Sequence, residues 1–221
     1  MSNEMNMTVD EARALVSDAA LWPRVRDFLW DFAPQVHSSW LEGIGQGLSA
    51  SPRVKRFILS SLGVEPCFHA FPKDDWSRLA LLDGATLESI AKWLGAIACA
   101  DGLRRVTDGK TVREMKAALP GVYPEVFGYT AYFERDLRDA RDSSEGVCTA
   151  DHVVSHGFSL IHSLLCDVPG PVVSRLKFKL PKSLSALLSP DEAGNAPEGS
   201  GPVLTKLLKL KFPEAYSLCC S

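Results

Sequence analysis

The sequence has no long apolar run. Every hydrophobic stretch is broken by charge, proline or glycine well before the roughly eighteen residues that a membrane span requires. It also lacks the short motifs that mark common catalytic sites: no G-x-S-x-G, no Walker A loop, no G-x-G-x-x-G and no H-E-x-x-H. The opening residues, MSNEMNMTVDEA, carry neither the basic start nor the apolar stretch of a secretory signal, which predicts a cytosolic chain. Six cysteines (Cys67, Cys99, Cys148, Cys166, Cys219 and Cys220) contain no C-x-x-C pair. In the cytosol they are expected reduced, as small apolar fillers or exposed thiols. A formal net charge of −3 lacks the basic excess of a dedicated nucleic-acid binder, although a local basic patch would still attract phosphate.

What is present is an ordinary soluble composition, 46% hydrophobic and 23% charged over 221 residues. A chain of this length buries roughly 70% of its unfolded surface, enough for a real core. The strong periods are helical. Thr8-x-x-Glu11 has the form of a capping box and predicts a helix over about 9–20. Pro23 opens a second, with Val25, Phe28, Leu29 and Phe32 at helical spacing before Pro34. Shorter helices are expected at SSWLEGI and from Pro52 to Leu62, closed by Gly63. Residues 65–72, EPCFHAFP, read as an extended connection. Leu87, Ile90, Leu94 and Ile97 form one stripe of a helix expected to end at Asp101-Gly102. Asp83-Gly84, Asp101-Gly102 and Asp108-Gly109 thus punctuate successive short helices, the last preceding Val112, Met115 and Leu119.

Charge alternates at i,i+4 in FERDLRDARD, residues 133–142, as on an exposed helix. Thr149 and Asp151 open a helix to about Cys166, with Val153, Leu160, Ile161, Leu164 and Leu165 on its apolar side. Arg175 to Leu180 alternates like a short strand, while Pro181 equally suits two short helical segments. Residues 189–202, SPDEAGNAPEGSGP, contain no large apolar side chain and predict a flexible linker. Residues 203–221 turn apolar again and must dock, on the body or on a partner. The expected fold class is therefore all-α: a compact multi-helix domain of short helices over 1–188, the linker, and a tethered C-terminal helix over 203–221.

Cys148, His152, His156, His162 and Cys166 are the most chemical-looking group. On one helix they spread over roughly 27 Å, so no more than two neighbours can share an ion; with Ser159 and Ser163 they read as the polar face of an amphipathic helix. The glycines at 43, 45 and 47 follow no strand and precede no phosphate-binding lysine. Cys67 and His69, two apart in an extended segment, have no third group to orient a base. No cofactor, metal or catalytic residue is predicted.

LRRVTDGKTVREMKAAL, residues 103–119, concentrates positive charge in Arg104, Arg105, Lys110, Arg113 and Lys116 against Asp108 and Glu114. A helix-turn-helix over 87–119 would place Lys110, Thr111 and Arg113 at the start of its recognition helix. The connection from Asp101 to Gly109 looks too long for that motif, whose turn has three or four residues. The alternative is the solvated face of a helix or a docking surface for an acidic partner.

Arg78 to Leu119, RLALLDGATLESIAKWLGAIACADGLRRVTDGKTVREMKAAL, resembles the SctK family of bacterial type III secretion systems, also called the YscK or OrgA group. The shared pattern is an Arg-Leu-x-Leu-Leu-Asp-Gly stretch, a Leu-rich helix ending in small residues, an Arg-Arg turn and a closing Asp-Gly helix. HSSWL at 37–41 and the closing LLKLKFPEAYSLCC are similar to that family's ends. The resemblance implies a cytosolic, non-enzymatic, all-α adaptor of the sorting platform, associated with the inner membrane only through the secretion apparatus. Its implied partners are the cytoplasmic domain of the inner-membrane ring and the pod protein, and through the latter the stator and ATPase, with no nucleic acid and no direct membrane insertion. Arg104, Arg105, Lys110 and Arg113 would then be the candidate partner-binding residues.

Overall fold

The apolar periods of the sequence fold as helices. The computed structural model describes residues 8–42, 52–61, 63–64, 69–72, 76–133, 148–188 and 199–220. Among them every regular element is a helix, with no strand. The α-helices are α1 Val9–Ser17, α2 Trp22–Trp30, α3 Pro52–Ser61, α4 Gly84–Ala98, α5 Ala100–Arg104, α6 Gly109–Ala118, α7 Thr130–Phe133, α8 Ala150–Leu164, α9 Gly170–Phe178, α10 Lys182–Ser185, α11 Ser200–Lys211 and α12 Pro213–Cys220. Short 3-10 turns, among them Trp76–Leu81, Glu125–Gly128 and Ala186–Leu188, lie between them. The choice left open over Arg175 to Leu180 resolves as helix, because α9 runs through Phe178. Most of the charged helix expected over 133–142 lies outside the described residues. No described helix is long and apolar enough to cross a membrane.

The chain forms two compact units, each assembled from segments distant in sequence. The first comprises Met1–Gly84, Val168–Ser185 and Leu218–Ser221. Its core is aromatic: Phe28, Phe32 and Phe71 are fully buried, with Phe28 edge-on to Phe32 at 5.7 Å and to Phe71 at 5.4 Å. Arg78, Arg175 and Lys179 are buried in the same unit. A buried cation is costly unless its donors are satisfied, and backbone carbonyls supply the acceptors here. Arg78 donates to Phe71 O at 2.8 Å and to Leu218 O at 2.9 Å. Arg175 donates to the carbonyls of Phe28 and Leu29, with its guanidinium over the Phe28 and Phe32 rings. Lys179 Nζ donates to Ala80 O at 2.6 Å and Leu82 O at 2.9 Å, closing the end of the Trp76–Leu81 turn. Trp40, from the HSSWL stretch, packs edge-on to Phe178 at 4.8 Å and donates from Nε1 to Leu180 O at 2.8 Å.

The second unit comprises Ala85–Asp167 and Ala186–Ser217, and α8 is its axis. Thr149 caps α8 by accepting from the His152 amide at 3.2 Å. α6, α11 and the Ala186–Leu188 turn all pack on α8. The α4 stripe is buried as its spacing predicts, at Leu87, Ile90, Leu94 and Ile97. Where α4 meets α8 there are no side chains between the backbones: a Cβ built on Gly95 would lie 1.8 Å from Val153 O, and one on Gly157 1.9 Å from Ala91 O. α11 buries Val203, Leu204, Leu207 and Leu208. The apolar C-terminal stretch therefore docks in cis. Residues 200–202, expected in the linker, form the first turn of α11, and 189–198 lie outside the described residues.

Candidate docking surface

The basic stretch begins where α4 ends. Cys99, at φ −88° and ψ 10°, interrupts the helix, and the chain restarts as α5 with Asp101 and Gly102 inside it. The expected stop at Asp101-Gly102 is thus displaced. Leu103 is buried and anchors this extra turn, so tertiary packing overrides glycine's weak helix propensity. Only four residues, Arg105, Val106, Thr107 and Asp108, then connect α5 to α6. The long connection from Asp101 to Gly109 inferred from sequence is corrected accordingly.

Asp108 caps α6: one carboxylate oxygen accepts from the Thr111 amide and hydroxyl, both at 2.8 Å. These hydrogen bonds, the amide's first, hold the Asp108 carboxyl below its ordinary range. α6 commits Met115 and the following Leu119 to the interior and packs on α8. The same geometry turns Lys110, Arg113, Glu114 and Lys116 to solvent. Lys110 and Arg113 are three apart and share a face, as do Arg113 and Lys116. Lys110 lies 3.9 Å from Glu114, an exposed pair worth about 0–1 kcal/mol. Arg113 Nε donates back to Gly109 O at 3.1 Å.

The four candidate residues divide into two kinds. Arg104 is built into the unit: it pairs with Asp101 at 3.1 Å, donates to Thr130 Oγ1 and lies 5.9 Å over the Phe127 ring. Arg105, Lys110 and Arg113 present their charge outward from the turn and the first half of α6.

The α8 group is arranged differently from the solvated face expected of it. Cys148, His162 and Ser163 are buried, His152 and His156 are half-buried, and Cys166 is exposed. Ser163 Oγ donates to Leu160 O at 2.8 Å. A helix covered by several neighbours has little solvent face left. The His152 and His156 rings stack with centroids 6.2 Å apart. Among the described residues no three of His, Cys, Asp and Glu gather to hold a metal. Cys67 and the glycines at 43, 45 and 47 lie outside the described residues; His69 is buried edge-on to Phe71 at 5.0 Å.

No family model, curated protein or solved structure matches the chain. No local pattern in the sequence marks the second cationic site of this unit, at Lys211. Its partners Trp93, Glu125 and Tyr129 lie on separate elements, and only folding joins them.

Proposed function

We propose that this chain is a non-enzymatic adaptor of a bacterial type III secretion system. In that role it links the cytoplasmic domain of the inner-membrane ring to the pod protein, and through it to the stator and ATPase. The observation that carries the reading is the outward-facing cationic surface of Arg105, Lys110 and Arg113, which lies within the very segment, Arg78 to Leu119, that resembles the SctK family. α6 has spent its apolar side on α8, so what it offers a partner is charge. Arginine presents a rigid fork matched to carboxylates, which favours an acidic partner surface.

Reversing Arg105 and Arg113 to Glu tests this. Both are exposed, so the melting temperature should barely move, in keeping with surface changes of about 0.5 kcal/mol. Capture of the pod protein or ring domain should fall at least about tenfold, since unpairing a desolvated interfacial charge costs roughly 2–5 kcal/mol. Unchanged capture would return these residues to the solvated face of an ordinary helix.

One observation favours a second reading, a helix-turn-helix regulator. The four-residue connection between α5 and α6 has the length that motif uses. Duplex DNA therefore belongs in the same experiment. The adaptor predicts only weak, salt-sensitive affinity, about 0.1 mM or poorer at physiological salt; the regulator predicts sub-micromolar, sequence-dependent binding abolished by the reversal.

A further inference from the structure

Lys211 is the last residue of α11, and its ammonium is enclosed by groups from two other elements. It lies 4.6 Å from the Trp93 ring centroid and 4.4 Å from that of Tyr129. The two rings meet edge to face with centroids 5.9 Å apart, forming two walls. Glu125 forms the third, accepting from Lys211 Nζ at 2.7 Å. Trp93 comes from α4, while Glu125 and Tyr129 come from the Glu125–Gly128 turn and the residue that caps it. Burial alone would lower the Lys211 pKa, but its hydrogen bonds to Glu125 and Tyr129 and their charges outweigh that and hold it above the ordinary lysine range.

Two aromatic faces and a carboxylate around one ammonium are the groups with which proteins recognise alkylated and quaternary ammonium ions. The present occupant is held by a slender tether. α11 is anchored by Val203, Leu204, Leu207 and Leu208, whereas Lys211 reaches the cage through a flexible four-carbon stem from the helix's end. The Lys211 side chain is 18% exposed and Glu125 is 50% exposed, so one wall opens to solvent. The ammonium can leave while the helix stays packed.

We propose that Trp93, Tyr129 and Glu125 form an alkylammonium-binding site that Lys211 occupies in cis, and that an incoming cation of the same class takes the site when Lys211 swings out. A partner's lysine, methylated or not, and a free quaternary amine share this chemistry. Lys211 acts as a tethered competitor, whose effective concentration for a short flexible link is in the millimolar range. The natural chain therefore binds such cations weakly until its own lysine is displaced.

Tetramethylammonium is the probe, read by the upfield ring-current shift of its methyl resonance. Lys211→Ala should bind it at least about tenfold more tightly than the natural chain, and adding Tyr129→Leu should remove that gain. Equal binding by the natural chain and Lys211→Ala overturns the proposal, as does a gain that survives Tyr129→Leu. The natural chain supplies a measurement independent of how the variants fold: acetylation of Lys211 by an activated ester, followed by mass spectrometry. Tetramethylammonium chloride should raise Lys211 reactivity several-fold above an equal concentration of sodium chloride, which screens the Glu125 pair without filling the cage. Equal reactivity in the two salts overturns the proposal. Peptides bearing lysine or trimethyllysine then separate the sources: tighter binding than the free ion marks a partner's side chain, and no gain marks the free amine.

Discussion

Replacing Gly95 or Gly157 with alanine should lower the melting temperature by roughly 6–12 °C, which for a chain of this size corresponds to about 3 kcal/mol. The added Cβ would meet Val153 O at 1.8 Å in the first case and Ala91 O at 1.9 Å in the second. The obstructing atoms are backbone carbonyls of facing helices, so no rotamer change relieves the contact. α4 and α8 must separate, and that strips dispersion contacts from neighbours such as Leu94, Phe158 and Ile161. Alanine's better helix propensity, worth about 1 kcal/mol, opposes the loss without cancelling it. Gly109→Ala is the control: it sits in the first turn of α6 with nothing within 4 Å of a built Cβ. It should leave the melting temperature unchanged or raise it slightly. Equal stability for Gly95→Ala and Gly109→Ala would show that the two helices do not meet at those glycines.

Lys179 should make stability rise with pH from about 7 to about 9, above which the buried Cys219 thiol, pushed up to about 12, acts in the opposite direction. Burial, opposed by Asp83 and reinforced by Arg24, lowers its ammonium to about 7 from the usual 10.5. Between those values the unfolded chain holds a proton that the folded chain has released. Proton release on folding makes the folded state gain about 1.4 kcal/mol per pH unit across that window, several kcal/mol in all. Below pH 7 both states are protonated and this contribution to the slope vanishes. Lys179→Met removes the group, so urea denaturation from pH 6 to 9.5 should show a flatter profile for the variant. The slopes carry the comparison, because methionine also leaves Ala80 O and Leu82 O without their donor. Parallel profiles would mean that Lys179 stays charged in the folded chain throughout.

The helices were legible because their apolar stripes survive folding: Leu87, Ile90, Leu94 and Ile97 on α4 are all buried. The start of α8 was legible for the same local reason, Thr149 accepting from the amide three residues on, whereas Asp108, read only as part of an Asp-Gly turn, caps α6 in the same way. Asp101-Gly102 misled because a turn signal is a preference of about 1 kcal/mol, and burial of Leu103 outweighs it. Ser163 and His162 misled because a polar residue on a helix covered by its neighbours is buried whatever its type. The outward direction of Lys110 and Arg113 followed from the period of Met115 and Leu119, while the engagement of Arg104 with Thr130 depended on a contact across 26 positions of sequence. Lys179, Gly95 and the Lys211 cage share that dependence: each is defined by partners on distant segments, about which a local pattern carries no information.

The interleaving of the two units sets an order of events during synthesis. The first unit draws on Leu218–Ser221, and Arg78 donates to the carbonyl of Leu218 across 140 positions. A ribosome adding roughly 5–20 residues per second therefore spends on the order of ten seconds between making Arg78 and making its acceptor. Throughout that interval the guanidinium and the aromatic cluster around Phe71 lack part of their covering. The second unit likewise waits for Ala186–Ser217, so neither unit is complete until its late segment has been made. The interval before closure is when the nascent chain is most open to chaperones and to misassembly.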